Sequence, residues 1–283
     1  MSLSNTNDRV ATHLAMLREQ VAGLVSEEEW CRFLAVQSRF HRYSFWNSMA
    51  IVAQRPAATQ VAGYRRWASL GRQVRRGERG IAILAPMVNR SAMSEPESDA
   101  EPIDTAGRCV GFRVVHVFDI AQTDGDPLPT GPVPEVVTGD APSWLWPTLE
   151  AQLAAAGFRL ERGAMPTSHP SANGVTFVDE HRVVVRDGLP VAQAIKTCVH
   201  ELAHVLLHTD PAGVLARSVR EIEAESVAYV VCASCGLDPG GYSFPYVARW
   251  SNGDIDLVAS TGARVVGCAR RILDALANRD DDR

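Results

Sequence analysis

Residues 189–208 read LPVAQAIKTCVHELAHVLLH. Pro190 suits a first helical turn, where its missing N–H costs nothing, and the run after it predicts a helix from 190 to 208. Ala192, Ala194, Ile195 and Cys198 make the approach to the HELAH segment largely apolar, as expected of a buried helix. His200 and His204 are four residues apart, so their imidazoles leave the same face one turn apart and can reach a single tetrahedral ion at ~2.0–2.1 Å. Glu201 stands beside the first of them, where a carboxylate can take a proton from a water activated by the ion. Two imidazoles and a carboxylate on a buried helix are costly unless something pairs them, and a metal does so. Zinc is the ion this pattern predicts, with His200 and His204 as ligands and Glu201 as the catalytic base.

The ion needs a third ligand. A histidine ten residues after the first is excluded because Asp210 stands there, and Leu207 occupies the place of a turn-permitting glycine. His208 continues the same face but lies ~6 Å farther along the axis, so it is assigned to the helix C-terminus. The next helical stretch, REIEAES at 220–226, supplies carboxylates. Glu221 and Glu225 share a face, so one can bind the ion while the other orients a ligating histidine. Val227, Ala228, Val230 and Val231 turn that helix apolar immediately afterwards, which argues against a solvated acidic face. Glu221 is taken as the ligand and Glu225 as the group behind it. Tyr229, Tyr242 and Tyr246 are the candidates for stabilising an oxyanion, and Cys232 and Cys235 are expected to be packed core thiols.

Outward from this segment, the chain has the length and composition of two modest soluble domains: 283 residues, 46% hydrophobic and 22% charged. No run approaches the ~18 apolar residues of a membrane span, and the N-terminus lacks the pattern of a secretory leader. Cytoplasmic location and no membrane partner are the expectations, and six scattered cysteines suit reduced thiols. The charge is uneven. Residues 32–90 hold 11 arginines against the single acid Glu78, a balance of +10 within a total of −5, which leaves −15 for the rest. Such asymmetry points to a polyanion partner for the basic part. Lys196 is the one lysine among 28 basic residues, which reads as composition bias.

The N-terminal part predicts helices over 9–24, 27–40, where Ser26 and Glu29 have the capping-box spacing, and 44–54, stopped by Pro56. Strands are expected at 60–64, at 80–84, and over 109–118, the last pairing with 81–87. Residues 89–108 are too polar to pack and are expected to form a flexible acidic insertion, and 127–141 a linker. Beyond it follow a helix near 143–156, a hairpin (174–178 with 182–186), and helices near 190–208, 218–235 and 254–277. The domain expectation is 1–126, then 142–283, in an α+β fold. Tyr64, Arg65, Arg66, Trp67, Arg72, Arg75, Arg76 and Arg79 interleave aromatic faces that stack on unpaired bases with guanidinium groups that track phosphates, as single-strand binding requires. Phe45 and Trp46 are expected in the core.

HELAH followed by EIEAESVA at 221–228 resembles the ImmA/IrrE-type metallopeptidases and the peptidase half of ArdC-like antirestriction proteins. That resemblance implies a zincin-like, mainly helical domain with a small sheet, in which Glu221 is the third ligand and Glu225 the residue behind it. The stretch from Arg42 to Pro86, extended by FRVVHVFDI at 112–120, resembles the N-terminal single-stranded-DNA-binding domain of ArdC-like proteins. The pairing implies a protein of mobile genetic elements that binds single-stranded DNA, shields it from restriction and carries a zinc metallopeptidase site with a protein or peptide substrate. Two alternatives use the same parts: a regulatory zinc protease that cleaves a repressor, and a DNA-binding protein whose zinc is structural and whose peptidase is dormant.

Overall fold

The computed structural model describes residues 3–24, 26–89, 108–127, 141–209, 215–237, 251 and 253–278. The acidic insertion expected between Asn89 and Arg108, and most of the linker expected at 127–141, lie outside the described residues. The architecture is α+β, and the chain divides into two compact units, one formed by residues 1–24 and 42–131, the other by 25–41 and 132–283. No helix among the described residues is long and apolar enough to cross a membrane.

In the first unit, helix α1 (Leu3–Ala22) and helix α3 (Phe45–Gln54) pack on a three-stranded antiparallel sheet of β1 (Val61–Gly63), β4 (Arg108–Asp119) and β3 (Ile81–Asn89), in that order. The expected pairing of 109–118 with 81–87 is present, with Ile81 opposite Val117. β3 is an edge strand, and α3 closes it. Asn47 bonds both backbone groups of Leu84, at 2.9 Å each, and Gln54, two turns on, bonds both of Ala82, at 2.8 and 2.9 Å. Two side-chain amides thus stand in for a missing strand, satisfying backbone groups that would otherwise invite another chain. Ser44 caps α3 through the N–H of Asn47, and Phe45 is buried. After β1 the chain enters a helix at once. It forms the short helix α4 (Tyr64–Ser69), and a two-stranded ribbon of β2 (Arg72–Val74) and β5 (Thr123–Gly125) follows.

The second unit takes in helix α2 (Glu27–Arg39), capped by Ser26 on the N–H of Glu29 at 3.2 Å. Its Trp30 is fully buried and donates its indole N–H to Ser226 at 2.9 Å, and Ser234 bonds the carbonyl of Ser38 at 2.8 Å. These contacts join α2 to helix α7 (Arg217–Ser234). The remaining elements are α5 (Leu145–Ala155), β6 (Arg159–Gly163), β7 (Gly174–Phe177), β8 (Arg182–Arg186), α6 (Val191–His208) and α8 (Ile255–Ala277). β7 and β8 form the expected antiparallel hairpin, while β6 joins β8 in parallel, so β7 is an edge strand. α6 packs against α7, α5 and β7. The close approach to β7 depends on Gly174, because a Cβ there would lie 2.6 Å from Thr197 Cγ2 and 2.8 Å from Glu201 Oε1. Cys198 and Cys268 are buried free thiols, while Cys232 is buried and Cys235 half-buried.

Candidate metal centre and nucleic-acid face

α6 presents His200 and His204 on one face, and their Nε2 atoms converge to 3.1 Å. Glu221, in the second turn of α7, brings its Oε2 to 3.6 Å from His200 Nε2 and 3.7 Å from His204 Nε2. These three form the metal-capable cluster found among the described residues. Ligand atoms ~2.0–2.1 Å from a tetrahedral ion stand roughly 3.3–3.4 Å apart, so the observed triangle fits a divalent ion without rearrangement. Behind it, His200 Nδ1 meets Glu225 Oε2 at 3.1 Å, and the other oxygen of Glu225 meets Lys196 Nζ at 2.8 Å. Glu225 therefore orients His200 rather than joining the cluster.

Lys196 is more than the composition bias its rarity suggests. In a chain whose other basic residues are all arginine, the single lysine pins the carboxylate behind a metal-site histidine. His208 needs a correction. It ends α6, but its side chain is only 3% exposed and is engaged with His204 Nδ1 at 2.9 Å and with the fully buried Glu223 at 2.9 Å. It does not serve the helix end, because both ring nitrogens are directed at side chains.

Glu201 is 6% exposed, and Thr176 on β7 donates its hydroxyl to Glu201 Oε2 at 2.6 Å. A cleft of about 320 Å³ runs between β7 and the two helices, lined in part by Thr176, His200, Glu201, His204 and Glu221. Tyr229 is not among its lining residues, whereas His169, Arg217 and Arg220 are. Tyr242 and Tyr246 lie outside the described residues.

Burial by itself lowers the pKa of His200, but hydrogen bonds to Glu221 and Glu225 and the nearby charge of Glu201 outweigh it and raise the imidazole to about 9. Hydrogen bonds from His200 and His204 hold the Glu221 carboxyl well below its usual range. Burial opposes ionisation of Glu225, yet its bonds to His200 and Lys196 hold it low as well. The linkage follows in sign. The raised His200 stabilises the metal-free fold fully below its ordinary 6.5, and the effect fades as pH rises through about 9. The depressed Glu221 contributes above its ordinary 4.5, and that is lost on acidification. A metal must displace the His200 proton, so binding at pH 7.5 is expected to release close to one proton per ion from this residue, and fewer above about 9. Calorimetry in buffers of different ionisation enthalpy measures the number.

In the first unit the structure separates the eight basic and aromatic residues into three groups. Trp67 must be withdrawn from the nucleic-acid face. It is 2% exposed and donates its indole N–H to the Phe118 carbonyl at 2.8 Å, so its ring is core. Arg72 is spent on the protein, bonding Thr123 Oγ1 at 2.8 Å and the carbonyls of Thr123, Gly125 and Asp126. Arg75 is held by Glu78 at 2.9 Å, by Asp124 at 3.2 Å and by the Ala121 carbonyl. Glu78, the lone acid of the basic stretch, is thereby explained.

Tyr64 is 59% exposed, and Arg65, Arg66, Arg76 and Arg79 are exposed, their guanidinium groups without a partner among the described residues. Tyr64 packs edge-on against Phe118 at 6.4 Å. Phe118 shares a face of β4 with His116 and Phe112, since alternate residues of a strand point the same way. His116 is exposed and Phe112 is 49% exposed. Gly80 keeps this face flat, because a Cβ there would sit 2.8 Å from His116 and 3.0 Å from the Phe118 ring. Sequence reasoning missed Phe112 and His116. The signal was the alternation in FRVVHVFD, with aromatic residues on the register that a buried strand would fill with aliphatics.

A family model described as the N-terminal domain of anti-restriction factor ArdC matches residues 7–118. The chain is 22% identical over 262 residues to an uncharacterised protein of Bacillus anthracis, covering 82% of this chain and 44% of that protein. It is 25% identical over 234 residues to the DNA primase TraC of Escherichia coli, covering 74% of this chain and 20% of that protein. The chain thus spans less than half the length of these curated relatives. Among solved structures, the metal-free crystal structure of the antirestriction ArdC protein from plasmid R388 superposes with a TM-score of 0.50 at 19% identity, covering 83% of this chain and 86% of that one. That likeness concerns the fold. Residues 7–118 thus form an ArdC N-terminal domain, in a chain whose α+β fold is shared with a solved antirestriction ArdC protein.

Proposed function

We propose that this protein is an antirestriction factor that binds single-stranded DNA through its first unit and hydrolyses a peptide bond at a zinc centre in its second. The observation that carries the reading is the convergence of His200 Nε2, His204 Nε2 and Glu221 Oε2 beside the buried carboxylate of Glu201, in a cleft bordered by an edge strand. Three protein ligands among the described residues match catalytic rather than closed zinc sites. Zinc held there supplies Lewis acidity, lowering the pKa of water towards ~7 and polarising a carbonyl.

The chain's own groups would do the rest. Thr176 anchors one oxygen of Glu201, leaving the other to accept a proton and pass it to the leaving amine. Glu225 and Lys196 keep His200 presented through Nε2. β7, which among the described residues pairs on one side only, with β8, would offer its other backbone edge to an extended peptide lying along the cleft. Cleavage of a peptide library by the zinc-loaded protein, abolished by a chelator and restored by zinc, tests this. No cleavage under any metal condition favours the dormant-peptidase alternative.

For the first unit, the flat face carrying Tyr64, His116, Phe118 and Phe112, with Arg65, Arg66, Arg76 and Arg79 in the same unit, supports base stacking combined with phosphate tracking. Affinity for an oligonucleotide is expected to fall steeply with salt, and replacing Arg65 and Arg66 together by alanine should lower the log–log slope by roughly 1.4. Tyr64→Ala should cost about 1–3 kcal/mol of binding. Gel shifts on single-stranded and duplex oligonucleotides across a salt series measure all three. Equal preference for duplex contradicts the reading.

A further inference from the structure

The two histidines of the metal cluster are supported differently. His200 rests on a carboxylate directly, whereas His204 rests on another histidine. His204 Nδ1 lies 2.9 Å from His208 Nδ1, His208 Nε2 lies 2.9 Å from Glu223 Oε2, and Glu223 Oε1 receives the Arg264 guanidinium Nε–H at 2.6 Å. The chain of contacts runs from α6 through α7 to α8, and its middle is sealed: the side chains of His208 and Glu223 are 3% and 0% exposed.

Proton counting along this line admits one arrangement compatible with a metal. If His204 binds an ion through Nε2, its Nδ1 must carry the hydrogen and donate it. His208 must then accept at Nδ1, so its own proton sits on Nε2 and is donated to Glu223. Glu223 accepts there with one oxygen and accepts from Arg264 with the other, so it must be the carboxylate anion. A positively charged His208 would point a second N–H at His204 Nδ1 and force the proton of His204 onto the atom the metal needs. A protonated Glu223 donating to His208 would reverse the line with the same result. Arg264 supplies the guanidinium that pairs with the buried Glu223 at the far end of the line.

We infer that His208, held by the Glu223–Arg264 pair, is a positioning residue that fixes the tautomer of His204 and thereby the affinity of the metal centre. The inference rests on the metal reading of His200, His204 and Glu221 and goes beyond it. α8, remote from the ligands in sequence, becomes part of the site's support. Histidine ligands commonly rest on a carboxylate or carbonyl directly, and losing that partner typically costs ~10–100-fold in metal affinity. Here the same duty passes through an intervening imidazole.

The test is zinc affinity, read by chelator competition, for wild-type protein, His208→Leu and His208→Gln. Gln can accept from His204 through its carbonyl, whereas Leu cannot. The expected result is a loss of ~10–100-fold for the Leu variant with substantial recovery in the Gln variant. Equal affinities in Leu and wild-type proteins overturn the inference. Long-range ¹H–¹⁵N spectra of the zinc-loaded wild-type protein decide the matter even if His208→Leu fails to fold. They should show His204 as the Nδ1–H form and His208 as the neutral Nε2–H form, and a cationic or Nδ1–H His208 overturns the inference. Wild-type protein that takes up no zinc would refute the metal reading itself, a different result from normal uptake with the wrong tautomer.

Discussion

Glu201→Gln is expected to lower peptide hydrolysis by the zinc-loaded protein about 10²–10⁴-fold, the usual contribution of a positioned general base. Zinc affinity and single-stranded-DNA binding should stay at wild-type values. The reasoning is geometric. Glutamine has the shape of glutamate, so its carbonyl oxygen can still accept from Thr176, now at 2.6 Å from Glu201, and Gly174 still makes room for the side chain. Only the capacity to take and return a proton is lost. Initial rates on a cleaved peptide, with metal content measured on the same preparation, give the answer. A variant that retains its rate removes Glu201 from the chemistry. One that loses zinc along with the rate shows that the carboxylate supports the metal instead.

The second large effect belongs to Glu221. Its alanine variant is expected to bind zinc roughly 10³-fold more weakly, more than the ~10–100-fold typical of losing an outer partner, because a ligand and not its support is removed. The same substitution has a metal-independent signature. The hydrogen bond to Glu221 is the strongest influence raising His200, so its loss should bring that imidazole down from about 9 towards its ordinary 6.5 in metal-free protein. A proton-detected titration of His200 and a zinc titration on the same variant separate the two roles. Glu221→Ala that keeps one zinc per chain at wild-type affinity would transfer the third ligand elsewhere.

The helical half of the site was legible because the constraint is local. Four-residue spacing places two imidazoles on one face whatever surrounds the helix, and the same rule paired Glu221 with Glu225. Which of those two faces the histidines depends on how α7 crosses α6, a packing result that spacing does not contain. Glu223 illustrates the limit. It sits between Glu221 and Glu225 in the sequence and looks like part of one acidic face, yet it points into the core to meet His208 and Arg264. Its Arg264 partner is 41 residues away, beyond the reach of any local pattern.

The hairpin and the β3–β4 pairing were legible through β-branched runs bounded by turn residues. β6 was not, since RLERG has neither alternation nor β-branched content, and it becomes a strand by pairing in parallel with β8. The capping-box spacing of Ser26 and Glu29 marked the start of α2 but not what the helix packs against. Its indole anchor on Ser226 is a contact over 196 residues. In the basic stretch, composition could not tell a stacking tryptophan from a core one. Burial of Trp67 depends on how α4 packs on the end of β4, and the carbonyl contacts of Arg72 on the ribbon of β2 and β5, strands too short to read beforehand.

In the proposed function, His200, His204 and Glu221 hold a zinc ion together. A crystal of the zinc-loaded protein, with anomalous data collected on both sides of the zinc edge, tests it most directly. One peak is expected within ~2.0–2.2 Å of His200 Nε2, His204 Nε2 and a Glu221 oxygen. A loaded crystal with no zinc peak at these atoms, or with the ion held by other side chains, would contradict it.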